Sequence, residues 1–469
     1  MITQAQAQAT ADRWLNPEGH QGPRRQVGME EFELGWVVWA VPPPPEVDPA
    51  TGLRRPPAEV GNACGVVDRA GGELTVWPSV PVEEVVRMYR QKHGADSGTG
   101  SGAHGDAGSV TGSGTGSDVG SGTSAATPAG PPVTGPGNTA VATYDDPSSG
   151  AETNLVRVSR PGLPPAEYQL FDELRRIGVR GEDVRAVHTD LRPALFPGGY
   201  TGNFVFRAFP NARFSCTAGY GATPEERAEG VAGLLRHVEM THQLSGQQPP
   251  PRPHRLPVPS PDSVPRAEPV RDVALGKQLA EVFGPQGVFR PDADDIAGTA
   301  LPEAAKKTLT WAGLPVEVPY FFTADHAGRA PAGGLFTDAA TQLRSIGTEA
   351  SEATLGHLAG HVRIGTDGAY LVTVQCTAPE ESRTLIGAVW AVQPSSGGGR
   401  FVNASLAAFL RSLALLTTTR QRMRGMDPRA AGAAVAAFQE QLVAIDAWSL
   451  DSDKNWWSLV VEQMWHGLF

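Results

Sequence analysis

From Ala95 to about Gly150 the chain opens with ADSGTGSGAHGDAGSVTGSGTGSDVGSGTSAATPAG and continues in the same vein. So few apolar side chains cannot bury enough surface to offset the entropy of ordering the backbone. The stretch is therefore expected to be a disordered tether, and no core can run through it. Gly 55 and Pro 41 together make up about a fifth of the 469 residues, well above ordinary usage. Part of the excess lies here. More of it lies in a second stretch, 244–265, which holds SGQQPPPRPHRLPVPSPDSVP. Proline makes that stretch stiffer, and its place between two patterned segments favours a spacer over a PxxP ligand. The expectation is a multi-domain α+β protein: three small α+β or α/β units at 1–94, 151–243 and 266–469, joined by the linkers 95–150 and 244–265.

In the first segment, ITQAQAQATADRWL reads as an amphipathic helix with Ile2, Ala9 and Trp14 as apolar points. FELGWVVWAVP (32–42) reads as a central strand, CGVVDRAGGELTVWPS (64–79) as a hairpin turning on its glycines, and VPVEEVVRMYRQK (80–92) as a closing helix. Trp36, Trp39 and Trp77 suit packing, and nothing in the segment is arranged for chemistry. In the middle segment, PPAEYQLFDELRRIGV is a helix, VRAVHTD and ARFSCTAGYG are strands, and TPEERAEGVAGLLRHVE is a helix. Thr223, Pro224 and Glu226 give that last helix a capping box with proline at its first position. The last segment reads as a sheet (FFTADHAGR, the two arms around GTDG, TLIGAVWAVQP) followed by three helices: one starting at Asn403 or Ser405, then 428–446 and 454–467.

The formal charge of −11 and the absence of a dense Lys/Arg cluster argue against nucleic-acid binding. No run of eighteen apolar residues suggests a membrane span. The N-terminal MITQAQAQATADRW lacks the basic start and apolar run of a signal peptide, so a cytoplasmic location is expected. Cys64, Cys216 and Cys376 are too scattered for a disulfide framework or a zinc spacing. Asp292, Asp294 and Asp295 lack the glycine and terminal glutamate of a calcium loop and read as a solvated acidic turn. His357 and His361, four apart without a catalytic glutamate, read as core-edge or surface histidines. No cofactor is implied.

One stretch does suggest chemistry: AVHTDLRPALFPGGYTGN (186–203). Hydrolytic deamination of a base needs a zinc-bound hydroxide, three protein ligands and a proton-moving glutamate, usually written H-x-E followed by P-C-x-x-C. The segment resembles the bacterial toxin-type nucleic acid/nucleotide deaminases, through His188-Thr189-Asp190, Pro193-Ala194, Phe196-Pro197-Gly198-Gly199-Tyr200-Thr201 and the following FPNARFSCTAGYGATPEER. The resemblance makes His188 the histidine ligand, puts Asp190 in the place of the glutamate, and puts Ala194 and Thr201 in the places of the two thiolates. Alanine cannot ligate, and a threonine hydroxyl is a poor zinc ligand. An aspartate carboxylate would sit about 1 Å short, a displacement that can cost about 10²-fold in rate. The expectation is a catalytically dead scaffold with no catalytic residues and no metal.

The terminal segments carry two further resemblances. MITQAQAQATADRWL, FELGWVVWA and VVDRAGGELTVWPS together resemble the small Imm35/YrhB-like immunity domains. GTDG-A (365–369), GAVWAVQP (387–394), FVNASLAAFLRSL (401–413) and NWWSLVVEQMWHGLF (455–469) resemble the SUKH-4 branch of the SUKH immunity superfamily. The resemblances imply an immunity protein whose partners are protein toxins of competing bacteria, basic nuclease or deaminase domains among them, neutralised by steric blockade. The alternatives are a zinc-dependent nucleic acid/nucleotide deaminase with an atypical site and a non-catalytic scaffold protein.

Overall fold

A computed structural model describes residues 2–16, 24–41, 64–77, 82, 85, 86, 89, 90, 130–331, 333–377 and 386–469. Residues 95–129 of the expected tether lie outside them. The chain divides into two compact units, Met1–Gly130 and Pro131–Phe469.

In the first unit, α1 (Gln4–Leu15) starts on a Thr3/Gln6 capping box and buries Ala7, Ala11 and Leu15. That stripe runs one turn per step, so Ala9, read from sequence as an apolar contact, is exposed. Four antiparallel strands in sequence order form the sheet: β1 (Gln26–Phe32), β2 (Gly35–Val41), β3 (Cys64–Asp68) and β4 (Leu74–Trp77). The single expected strand at 32–42 is thus a hairpin arm, with β1 pairing Phe32 to Gly35 across a tight turn. Asp68 Oδ1 accepts from Gly71 N at 2.7 Å in the β3–β4 turn, and Gly72 has φ +73°. Trp36 is buried under the Arg69 guanidinium, 4.5 Å from its ring. Trp39 is half-buried, and the Trp77 side chain lies outside the described residues. Of the expected helix at 80–92, Val85, Val86 and Tyr89 are described and buried.

The second unit opens with a four-stranded sheet ordered β6-β5-β7-β8: β5 (Thr139–Asp145), β6 (Glu152–Val158), β7 (Val184–Leu191) and β8 (Arg213–Ala218). Only β7–β8 is parallel. Helices α2 (Ala166–Arg176), α3 (Thr201–Ala208) and α4 (Pro224–Leu244) connect and follow the strands. Strand β5 falls inside the stretch read as linker, so the folded unit includes residues well before 151. Further along, α5 (Asp272–Phe283) and α6 (Glu303–Trp311) precede a six-stranded antiparallel sheet. Its strands, in order, are β9 (Glu317–Val318), β10 (Phe322–Ala324), β11 (His361–Thr366), β12 (Leu371–Gln375), β13 (Val389–Val392) and β14 (Gly399–Asn403). Three helices complete the chain: α7 (Leu406–Met423), α8 (Pro428–Ile445) and α9 (Trp456–Trp465). Ser405 caps α7. Asn403 instead accepts from Trp457 Nε1 at 2.8 Å and donates to Asp446. Every residue of α9 is buried, so the helix leaves no aromatic edge over.

The expected independence of the middle and last segments gives way to one shared core. Leu191, Phe196, Tyr220 and Leu234 belong to the same apolar cluster as Phe409, Trp456, Trp465 and Phe469. The proline-rich stretch is bound along this unit: Val133 and His254 exchange backbone hydrogen bonds, Gln439 Nε2 donates to Pro257 O at 2.7 Å, and Val264 is buried. Proline fixes φ and lowers the entropy lost on docking such a strap.

Candidate functional site

A small pocket opens where β7, the N-terminus of α2 and the glycine turn before α3 meet the last residues of the chain. Pro165, Glu167, Leu191, Ala194, Thr201 and Phe469 are in its wall, with Asn138 at one side. Glu167 sits in the first turn of α2, where the helix dipole favours a carboxylate. It is nevertheless 2 % exposed, and burial outweighs its hydrogen bonds and pushes its pKa up to about 7. Asn138 organises the wall: its Nδ2 donates to Glu167 Oε1 at 2.8 Å, and its Oδ1 accepts from Leu191 N at 2.8 Å. The Asn138 amide donates to Ser159 Oγ, which donates to Gly467 O, each at 2.7 Å.

The glycine turn is conformationally demanding. Gly198 and Gly199 have φ of +108° and +111°, and Tyr200 follows in the left-handed region at +46°. Only glycine adopts the first two readily. Tyr168 Oη holds Gly199 O at 2.6 Å, and Gln463 Nε2 holds Pro197 O at 2.6 Å. Tyr200 Oη donates to Asp367 Oδ2 at 2.7 Å, and Trp456 Nε1 donates to the same oxygen at 2.9 Å. The GGY turn and the GTDG turn, each part of a separate sequence motif, are therefore bound to one another.

The four residues singled out from sequence divide into two pairs. Ala194 and Thr201 line the pocket and are joined, Ala194 N donating to Thr201 Oγ1 at 2.8 Å. His188 and Asp190 do not line it. Strand alternation puts Val187, Thr189 and Leu191 on the buried side of β7 and His188 and Asp190 on the other. There the His188 ring meets Ser215 Oγ at 2.9 Å and Thr217 Oγ1 at 3.1 Å on the parallel neighbour β8. Burial lowers its pKa, with Asp190 opposing. Asp190 accepts from Thr139 N at 3.1 Å. Cys216 is buried outside the pocket wall, and burial pushes its thiol up to about 12, away from the thiolate a metal needs.

The wall does not fit zinc. Pro165, Ala194 and Thr201 offer no soft donor, and Glu167 stands alone. Among the described residues no three His, Cys, Asp or Glu side chains gather where they could hold a metal ion. Asp292, Asp294 and Asp295, expected in a turn, instead start a short helix (Ala293–Ala297) and are exposed, as is His357. His361 packs edge-on to Trp390, and burial lowers its pKa to about 4. Reading from sequence missed Glu167, Asn138 and Ser159. The signal for the first was Pro165-Ala166-Glu167, a glutamate two residues along at a helix start.

Three families match successive parts of the chain: the immunity protein 35-like domain over residues 5–95, the Xanthomonas-like deaminase over 135–237, and the SUKH-4 immunity protein over 274–463. The chain joins two immunity-type domains to a deaminase-like one. Neither the curated proteins nor the solved structures include a match. The pocket wall spans two of these stretches: Glu167, Ala194 and Thr201 lie in the deaminase-like domain, Gln463 closes the SUKH-4 stretch, and Leu468 and Phe469 lie just beyond it. The immunity domains support an immunity role. No helix among the described residues is long and apolar enough to cross a membrane.

Proposed function

We propose that this protein is a cytoplasmic immunity protein that binds polymorphic toxins of nuclease or deaminase type, made by competing bacteria, and neutralises them sterically. The observation that carries the reading is the pair of immunity-type matches at the two ends of one chain. A net charge of −11 suits docking on basic nuclease surfaces, where complementary fields speed encounter and select partners. The deaminase-like domain takes no catalytic part in this reading, because the pocket offers alanine and threonine where thiolates are needed. Its place is structural, supporting the SUKH-4 domain from within a common core.

The test is co-expression of the full chain with a panel of nuclease and deaminase toxin domains in a sensitive host. Restored growth, with a toxin co-purifying in stoichiometric amount, is the expected result. A chain that rescues no toxin and binds none overturns the reading.

A further inference from the structure

Two observations meet at the pocket around Glu167. The first is the order of residues. The deaminase signature runs H-x-E, then P-C-x-x-C. Two places ahead of Pro193 hold part of its first half, His188-Thr189-Asp190 with the histidine and Pro165-Ala166-Glu167 with the glutamate; the intact His237-Val238-Glu239 comes after Pro193 on α4, where Glu239 is engaged by Arg252. His188 faces away from the pocket, its ring engaged by Ser215 and Thr217. Pro165-Ala166-Glu167 places a true glutamate in the same wall as Ala194, which follows Pro193, and as Thr201. Only the second choice brings the halves of the signature together, and in it proline replaces the histidine.

The second observation is how the last residues wall off one side of the pocket. Phe469 is 1 % exposed, edge-on to Phe321 at 5.2 Å, and a Cβ on Gly198 would sit 2.6 Å from its Cε1. Gly198 therefore leaves room for that ring as well as supplying the turn. Polar bonds fix the rest of the tail: Gln463 to Pro197 O, Ser159 to Gly467 O, and the Gly137 amide to His466 O at 3.0 Å. These contacts tie the C-terminal residues to three separate segments of the deaminase-like domain.

We propose that Pro165, Glu167, Ala194 and Thr201 mark the emptied catalytic centre of the deaminase-like domain, and that the chain's own Leu468 and Phe469 are its resident plug. Residues just beyond the SUKH-4 stretch thereby occlude a deaminase-type pocket in cis. The inference rests on the deaminase likeness and leaves the toxin-binding reading untouched if it fails.

The experiment rebuilds the centre in the full chain by Pro165→His, Ala194→Cys and Thr201→Cys, with and without deletion of residues 468–469, and measures zinc retained after dialysis. Three such ligands are what an open zinc site needs. The tail-deleted rebuilt chain is expected to hold one zinc, and the tail-intact one to bind it at least about tenfold more weakly. Adding His188→Ala is expected to change nothing. Equal affinity with the tail in place overturns the plug. Loss of zinc on His188→Ala, or no zinc in either folded chain, overturns the assigned centre. If rebuilding prevents folding, the single Ala194→Cys variant decides, through its rate of labelling by a maleimide. That rate is expected to rise at least about tenfold on adding Phe469→Ala, and an unchanged rate overturns the plug.

Discussion

Arg227 grips Glu462 through two hydrogen bonds of 3.0 and 2.7 Å, 235 residues apart in sequence. The side chains are 2 % and 9 % exposed, so the pair is buried between α4 and α9. Arg227 also donates to Ala222 O at 2.7 Å and lies over the Phe196 ring. Removing one partner leaves a buried charge uncompensated, which costs about 3–5 kcal/mol, whereas replacing both with apolar groups is often near neutral. Arg227→Met is therefore expected to destabilise residues 131–469 by about 3–5 kcal/mol, and Arg227→Met with Glu462→Leu to recover most of that loss. Urea unfolding followed by tryptophan fluorescence checks it. Two separate transitions for the deaminase-like and SUKH-4 parts would contradict the shared core.

Glu167 makes the pocket sensitive to a rise in pH from acid towards neutral. Its folded pKa of about 7 lies above its ordinary 4.5 because burial penalises the carboxylate. The protonated acid is what the fold prefers, so this group's contribution is fully present below pH 4.5 and lost as pH rises through about 7. Glu167→Gln keeps an acceptor for Asn138 and cannot ionise. The variant should melt with a flatter dependence across that window than the parent. Parallel profiles would show that Glu167 titrates in the fold as it does in the open chain.

His466 acts in the opposite sense. Burial, helped by Arg255 and Arg227, lowers its pKa to about 3, and its Nδ1 meets the Tyr220 hydroxyl at 2.8 Å. The unfolded chain takes up a proton near 6.5 while the folded chain does not. Its stabilising contribution is present above pH 6.5 and lost as pH falls towards 3. His466→Gln is expected to lose less of its stability on acidification than the parent does. Thermal melts of the Glu167 and His466 variants separate the two effects, because each removes a slope of opposite sign.

Much of this was legible from local pattern. The capping box at Thr223, the GTDG turn and the helix start at Ser405 are short-range features, and short-range rules place them. What stayed hidden depends on distance along the chain. Strand β5 follows directly on a glycine- and serine-rich stretch, so composition masked the alternation in TAVATYD, whose alternate residues are buried. The union of the deaminase-like and SUKH-4 parts rests on pairs such as Tyr200 and Asp367, 167 residues apart, which no local window contains. His188 lies off the pocket for a related reason. The spacing of H-x-D fits the signature equally well on a strand, but a strand turns successive side chains to opposite faces, and the pocket lies on the face of Leu191. Ala194 and Thr201 line that pocket, and their position after Pro193 and within the glycine turn is itself local.

Gly198 and Phe469 provide the sharpest measure of how tightly the tail is seated. At Gly198, φ of +108° strains any side chain, and a Cβ would overlap the Phe469 ring at 2.6 Å. Gly198→Ala thus carries two costs: backbone strain of about 1–3 kcal/mol and displacement of the ring. Phe469→Ala alone removes a fully buried aromatic side chain and is expected to cost about 3–5 kcal/mol. In the double variant the strain remains but the overlap is gone. The two losses should therefore fall short of additivity by about 1 kcal/mol or more, against the roughly 0.3–0.5 kcal/mol expected of independent sites. Equilibrium unfolding of the four chains gives the coupling directly. Strict additivity would place the ring of Phe469 elsewhere than against Gly198.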